Sequence, residues 1–225
     1  MKYDGIILAG GKGTRVKKFT KKNPKCLIRI NGKPFLYYQL KYLKKNNIKN
    51  VVISTGYLSN KIRDYLNKNI DFINFKIVDD GKKLLGTGGA VLKSLKYLKS
   101  NFYVMYGDSY LTLNLKNLKK QKNLSTMAIF RNDNKFDKSN IELLNSKKII
   151  YHLKNSKKKL RYIDYGISYL NKKIFKNKKK GVKFNLPEFY NELSLKNLLL
   201  GYKVKTRFYE IGSYRGIKEL NNFLK

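Results

Sequence analysis

The chain has 225 residues with a formal net charge of +37; 42% of the residues are hydrophobic and 13% are aromatic. That apolar content excludes a disordered chain. The lack of an apolar run of about 20 residues excludes a membrane span, and the single cysteine, Cys26, excludes an internal disulfide. We therefore expect one globular domain over 1–225, without a leader peptide, in a reducing cytoplasm.

The positive charge has two interpretations. It suggests a partner such as nucleic acid or a membrane surface, or it reflects a composition in which lysine, asparagine, isoleucine and tyrosine are all abundant. The lysines are spread along the whole chain and their short runs fall in predicted loops. We favour the compositional explanation and expect neither a nucleic-acid nor a membrane partner. Anionic substrates would still be attracted by the field.

The order of predicted elements indicates an α/β fold. Apolar runs that end in glycine or polar residues predict strands, and apolar residues at helical spacing predict helices. The predicted strands are 5–9, 50–54, 75–78, 102–106, 126–130, 140–144, 149–153 and 163–170. The predicted helices are 35–45, 59–66 (with Ser59 as its cap), 88–98, 187–198 and 216–224. Alternating strands and helices predict a mainly parallel sheet, and ligands of such sheets bind beyond the carboxyl ends of the strands.

A glycine-rich segment follows the first predicted strand. It reads Leu8-Ala9-Gly10-Gly11-Lys12-Gly13-Thr14-Arg15. Closely spaced glycines let the backbone approach a ligand, exposed amides suit phosphate oxygens, and Arg15 can bind phosphate through two hydrogen bonds. The spacing matches neither the P-loop nor the dinucleotide-binding pattern. Ten residues later, Pro24 fixes the backbone before Lys25, a second cation suited to phosphoryl transfer.

Two further segments lie at predicted strand ends. Small residues in Leu85-Gly86-Thr87-Gly88-Gly89-Ala90 would let a flat ring or a phosphate lie against the start of a helix. Asp108, after Gly107, stands where a carboxylate can bind Mg²⁺. Because the chain has only 14 acidic residues, an aspartate at this point is informative.

Together, Leu8 to Arg15, Pro24-Lys25 and Asn31-Gly32-Lys33-Pro34 resemble the signature of sugar-1-phosphate nucleotidyltransferases. Cys26 departs from it, since many members have a second proline there. The resemblance implies a three-layer, Rossmann-like domain with a nucleotide-binding half over about 1–125 and a sugar-binding half over about 126–225. It covers most of the chain and is loose after residue 130.

The resemblance also implies roles for individual residues. Arg15, Lys25 and Asp108 would be catalytic, and Asp108 and Glu210 would bind Mg²⁺; Glu210, in Tyr209-Glu210-Ile211-Gly212, replaces the family's aspartate. Nucleotide binding is expected from Leu8, Ala9, Gly10, Gly11, Lys12, Gly13, Thr14, Asp79, Asp80, Gly86, Thr87 and Gly88, with Asp79 or Asp80 reading a guanine N–H edge. Sugar-phosphate binding is expected from Asn140, Lys154 and Gly166.

The implied reaction joins a nucleoside triphosphate and a sugar 1-phosphate into a nucleotide sugar and pyrophosphate, for surface polysaccharides of the capsule or lipopolysaccharide kind. Leu85 to Ala90 resembles the branch that makes GDP-mannose and GDP-heptose sugars, and the opening block resembles bacterial heptose-1-phosphate guanylyltransferases. The chain is also short, as in relatives without a C-terminal acyltransferase or β-helix extension. GTP with D-glycero-D-manno-heptose 1-phosphate is therefore the expected pair. Mannose 1-phosphate with GTP and glucose 1-phosphate with CTP or TTP stay open, as does a homo-oligomeric state.

Two other classes of function are weighed against the enzyme. The charge suggests a nucleic-acid binder, although the chain contains no zinc-ligand pattern, basic zipper or aromatic RNA-binding signature. The departures at Cys26 and Glu210 suggest a nucleotide sensor that has lost turnover. Release of pyrophosphate distinguishes an enzyme from both.

Overall fold

The computed structural model describes residues 1–20, 23–81, 83–119, 125–153 and 157–225. In these residues the strands are β1 Tyr3–Leu8, β2 Arg29–Ile30, β3 Lys33–Pro34, β4 Asn50–Thr55, β5 Asn74–Asp79, β6 Leu98–Tyr106, β7 Ser109–Tyr110, β8 Ser125–Arg131, β9 Ile141–Leu143, β10 Ile149–Tyr151, β11 Tyr162–Asn171, β12 Leu199–Val204 and β13 Tyr209–Glu210. The helices are α1 Lys17–Thr20, α2 Phe35–Lys45, α3 Ser59–Asn69, α4 Gly86–Ser94, α5 Lys116–Lys119, α6 Leu186–Leu195 and α7 Tyr214–Phe223.

A mixed sheet forms the centre of the molecule. Its first half runs β5-β4-β1-β6 with every pair parallel. β11 continues the sheet antiparallel to β6, and β8 lies against β11 with β12 parallel to it. The chain leaves β1 towards β4 and β5 and then returns to β6 on the other side of β1. The strand order therefore reverses at β1, which is where parallel sheets open a crevice for ligands.

Apolar side chains cover both faces of this sheet. In β1, Ile6 belongs to one core cluster and Ile7 to the other, because successive strand residues point to opposite faces. Leu40 of α2 and Ile62 of α3 pack on the Ile7 face, and Val91 of α4 packs on the Ile6 face. These three layers confirm the predicted α/β class. No helix in the described residues is long and apolar enough to cross a bilayer.

Several predicted boundaries were wrong. α4 ends at Ser94, and Leu98, predicted as its last residue, begins β6. The helix predicted to run to 198 ends at Leu195, since Asn197 adopts the left-handed conformation (φ +55°) that terminates helices. The strand β12 that follows was missed. α3 is preceded by left-handed Leu58 instead of being capped by Ser59, whose hydroxyl pairs with that of Thr55 at 2.8 Å.

Candidate functional site

A cavity of about 340 Å³ opens at the carboxyl ends of β1 and β6, where the strand order reverses. Its walls are formed by Leu8, Ala9, Gly10, Gly11, Gly13, Thr14, Arg15, Lys25, Cys26, Ser54, Asp80, Leu84, Gly86, Thr87, Ala90, Tyr106, Gly107, Asp108 and Asn185. The three segments predicted at strand ends thus meet at one site. Among the predicted nucleotide-binding residues, Lys12, Asp79 and Gly88 are not on these walls.

The glycine-rich segment forms a turn that continues into α1. Gly13 has φ +64°, a conformation that L side chains rarely adopt. Val16 donates its N–H to the Gly13 carbonyl at 3.1 Å. The Thr20 hydroxyl donates to the same carbonyl at 3.0 Å. These bonds fix the carbonyl of Gly13, and Gly11, Gly13, Thr14 and Arg15 line the cavity.

Lys25 and Asp108 form an ion pair inside the cavity. The Lys25 ammonium lies 2.7 Å from Asp108 Oδ2, and the Lys25 side chain is only 14% exposed. Burial pushes the pKa of Asp108 up, but the charges of Lys25 and Arg15 and the hydrogen bond from Lys25 outweigh burial and leave the pKa below its usual value. Asp108 is therefore an ionised carboxylate at neutral pH.

Glu210 lies beside the same cations, just outside the cavity walls. A Cβ on Gly212 would lie 3.0 Å from Lys25 Nζ and 3.1 Å from Arg15 Nη2. It would also lie 2.6 Å from Glu210 Oε2. The Glu210 carboxylate accepts hydrogen bonds from the Gly212 N–H and the Ser213 hydroxyl, at the start of α7. Both carboxylate oxygens therefore already have protein partners.

The donor set at this place suits Mg²⁺ only with help from a substrate. No three Asp, Glu, His or Cys side chains in the described residues are arranged to hold a metal ion by themselves. Mg²⁺ commonly uses one or two carboxylates together with substrate phosphates. Asp108 fits that pattern, since it faces the cavity next to Arg15 and Lys25. Each oxygen of Glu210 already accepts one protein hydrogen bond, which leaves Glu210 fewer lone pairs for an ion.

The two acidic residues after β5 differ in position. Asp80 lines the cavity and accepts the Leu85 N–H on Oδ2 at 3.2 Å, while its buried Oδ1 has no hydrogen-bond partner within the described part of the chain. Burial raises the pKa of Asp80 above its usual value. Asp79 instead accepts the Gly81 N–H at 2.8 Å. Asp80, and not Asp79, is thus the carboxylate on the cavity wall.

The glycines at the start of α4 accommodate a protein side chain. A Cβ on Gly88 would lie 2.2 Å from the ring of Phe184, so the phenyl ring occupies the space we had expected for a flat ligand. The Phe184 carbonyl accepts the N–H groups of Gly88 at 3.0 Å and Gly89 at 3.2 Å. Gly86 and Thr87, the two residues before Gly88, still line the cavity.

Two of the predicted sugar-phosphate residues, Asn140 and Gly166, are not on the cavity walls. Asn140 bridges the sheet, donating to the Tyr151 hydroxyl at 3.0 Å and accepting the Asp164 N–H at 2.9 Å. Gly166 (φ +98°) kinks β11 where it packs on Ser109. Lys154 lies outside the described residues.

Sequence reasoning missed the polar wall residues Ser54, Tyr106 and Asn185, and it also missed the buried acid Asp164. Asn185, at the start of α6, lines the cavity from the far end of the chain. Asp164 in β11 accepts the Gly166 N–H at 2.9 Å, and burial raises its pKa to about 7. A scarce acid beside the glycine of Tyr165-Gly166-Ile167 was a usable signal for Asp164. Nothing in the local pattern of Phe184-Asn185-Leu186 pointed to the cavity.

Comparisons with known proteins identify the family of this chain. The nucleotidyl transferase family model matches residues 4–184. D-glycero-alpha-D-manno-heptose 1-phosphate guanylyltransferase of Campylobacter jejuni is 35% identical over 189 residues, 83% of this chain and 84% of that protein. The enzyme of the same name from Aneurinibacillus thermoaerophilus is 28% identical, covering 98% of this chain and 100% of its own length.

A solved structure is also similar. HddC from Yersinia pseudotuberculosis, complexed with GMP-PN, superposes with a TM-score of 0.83 at 25% identity, covering 99% of this chain and 100% of that one. A glycine-rich loop lies where the strand order of the α/β sheet reverses, and the relatives share this chain's sequence and fold. Together these findings define a sugar-1-phosphate nucleotidyltransferase. The chain belongs to the nucleotidyl transferase family.

Proposed function

We propose that the enzyme transfers a guanylyl group from GTP to D-glycero-D-manno-heptose 1-phosphate, releasing pyrophosphate, as a step in the biosynthesis of a surface polysaccharide. The observation that carries the reaction class is the meeting of Arg15, Lys25 and Asp108 in one cavity at the reversal point of the sheet. The named relatives support the choice of guanine and heptose.

The glycine-rich segment would bind the triphosphate. Amides of Gly11 to Thr14 and the Arg15 guanidinium would hold the β- and γ-phosphates, which leave as pyrophosphate. Lys25 would stabilise negative charge on the α-phosphate as an oxygen of the sugar phosphate attacks it in line. Such catalysis is positioning and charge neutralisation, with no covalent enzyme intermediate.

Asp108 would hold Mg²⁺ together with phosphate oxygens, with Glu210 as a second carboxylate nearby. When bound, the ion neutralises charge on the phosphates. Since Lys25 donates a hydrogen bond to Asp108, we expect Lys25 to move from this carboxylate to the α-phosphate when nucleotide binds. The ion pair thereby keeps both groups close to their proposed positions.

Asp80 supports guanine as the base. Guanine presents adjacent N1–H and N2–H donors, whereas uracil and thymine offer a single N–H and cytosine an amino group alone. Asp80 lines the cavity together with Leu84 and Gly86, and its carboxylate would be the acceptor for these donors. One hydrogen bond to a charged acceptor contributes about 1.5–3 kcal/mol.

The test is a matrix of GTP, ATP, CTP and TTP against heptose, mannose and glucose 1-phosphates, read by pyrophosphate release with Mg²⁺ present. We expect the highest kcat/KM for GTP with the heptose. A preference for mannose 1-phosphate, or for CTP or TTP with glucose 1-phosphate, would replace this substrate pair. Absence of release from every pair would overturn the proposal of an active enzyme.

A further inference from the structure

Asn185 is the one residue from the second half of the chain that lines the cavity in the described part of the structure. Among the wall residues in the described part of the structure, all but one lie between residues 8 and 108, and the exception is Asn185. A Cβ on Gly86 would lie 2.7 Å from Asn185 Oδ1. The amide therefore lies at the Gly86–Thr87 wall of the cavity.

Backbone hydrogen bonds on both sides hold Asn185 at this wall. Before it, Phe184 donates its N–H to the Leu85 carbonyl at 3.1 Å and accepts two N–H groups at the start of α4. After it, the Leu186 N–H donates to Thr87 Oγ1 at 2.8 Å. The position of Asn185 relative to the cavity is thus fixed before any ligand binds.

The amide has hydrogen-bonding capacity left over. Asn185 and Glu188 form a capping box, in which the backbone N–H of Asn185 donates to Glu188 Oε2 at 3.1 Å. Asn185 Nδ2 is 3.4 Å from Glu188 Oε1, beyond the usual 2.7–3.2 Å for N–H···O bonds. Nδ2 carries two hydrogens, and the side chain is exposed. A donor is consequently available to a ligand in the cavity.

We propose that Asn185 binds the nucleoside part of the nucleotide, donating a hydrogen bond from Nδ2 to an oxygen of the ribose or base. The cavity wall also includes Leu84, Gly86 and Ala90, which are small or apolar, as a nucleoside requires. This inference rests on the proposed function, because it assumes that a nucleoside triphosphate occupies the cavity.

The test separates ligand binding from helix capping. Asn185→Ser and Asn185→Asp both keep a good N-cap residue, but neither keeps the amide donor. Asn171→Ser is the matched control, since Asn171 caps the turn at 172–175 by accepting the Lys173 N–H at 2.8 Å and is not a wall residue. Calorimetric titration of the full chain with GTP and Mg²⁺ gives Kd, and thermal melting reports folding.

We expect GTP to bind about 3- to 10-fold more weakly to Asn185→Ser, the loss of one neutral hydrogen bond, and at least as weakly to Asn185→Asp. Both variants should melt like the parent, and Asn171→Ser should keep the parent Kd. Parent-like Kd values for both Asn185 variants, or an equal loss in Asn171→Ser, would overturn the inference alone. A parent chain that binds no nucleoside triphosphate would instead overturn the proposed function.

Discussion

Replacing Lys25 with methionine tests whether its charge acts on the transition state. Methionine keeps the unbranched stem that packs on Gly13, where a Cβ on the glycine would lie 3.1 Å from Lys25 Cβ and 3.4 Å from Cγ. The loop should thus stay in place while the ammonium is lost. Removing one preorganised charge-stabilising donor from a buried site lowers kcat by about 10²–10³, or about 2.7–4 kcal/mol. The 14% exposure of Lys25 puts it among such buried donors.

The assay is steady-state pyrophosphate release, with kcat and KM for GTP measured separately. If Lys25 acts mainly on the transition state, kcat falls and KM changes little. Lys218→Met, on an exposed position of α7, is the control and should keep both constants. A rise in KM with unchanged kcat would show that Lys25 only binds the nucleotide and would refute the reasoning.

Further predictions concern the two carboxylates near the cations, the buried acid and the α4 contact. Asp108→Asn should abolish most turnover and should weaken Mn²⁺ binding in the GTP complex, measured by electron paramagnetic resonance. Glu210→Gln should weaken Mn²⁺ binding less, because the Glu210 carboxylate already accepts protein hydrogen bonds. Equal losses of Mn²⁺ binding in the two variants would contradict this ranking, and Asp64→Asn, at an exposed position, is the control. Because burial raises the folded-state pKa of Asp164 to about 7 while its usual value is 3.8, the folded state is disfavoured increasingly as pH rises from 4 to 7. Urea unfolding should therefore find Asp164→Asn more stable than the parent at pH 8 and equal to it below pH 4, and no difference at pH 8 would argue against the buried acid. Gly88→Ala should lower the free energy of unfolding by about 1–3 kcal/mol, since its Cβ would lie 2.2 Å from the Phe184 ring. In a double-mutant cycle, Phe184→Leu should relieve part of that loss. Strictly additive effects of the two substitutions would contradict the contact.

The first half of the site was predictable because its signals are local. The glycine segment directly follows β1, and Asp108 follows β6 with one residue between. In a parallel sheet the carboxyl ends of neighbouring strands meet, so sequence order alone brings Arg15 and Asp108 to one edge. Lys25 needed the resemblance, since one lysine among so many carries no signal of its own.

The second half was predicted poorly because its contacts span large sequence distances. Leu186 donates to Thr87 across 99 residues, and Phe184 fills the space beside Gly88. The glycine run predicted a close approach correctly, yet a glycine cannot specify whether a ligand or a protein ring makes that approach. Similarly, β12 became a strand by pairing with β8, while its own residues follow a helix without a proline break.

Arg15, Lys25 and Glu210 meet around Gly212 because an apolar cluster holds together the three segments that carry them. Val16 follows Arg15, Ile28 follows Lys25 by three residues, and Ile211 follows Glu210, and all three are buried in one cluster with Ile217 of α7. Separation of these residues would move the two cations and the carboxylate apart. Shared packing therefore fixes the distances among Arg15, Lys25 and Glu210. Ion pairing alone would not hold Arg15 and Lys25 side by side, because two cations repel each other. For this reason, the apolar cluster preorganises the charges of the site.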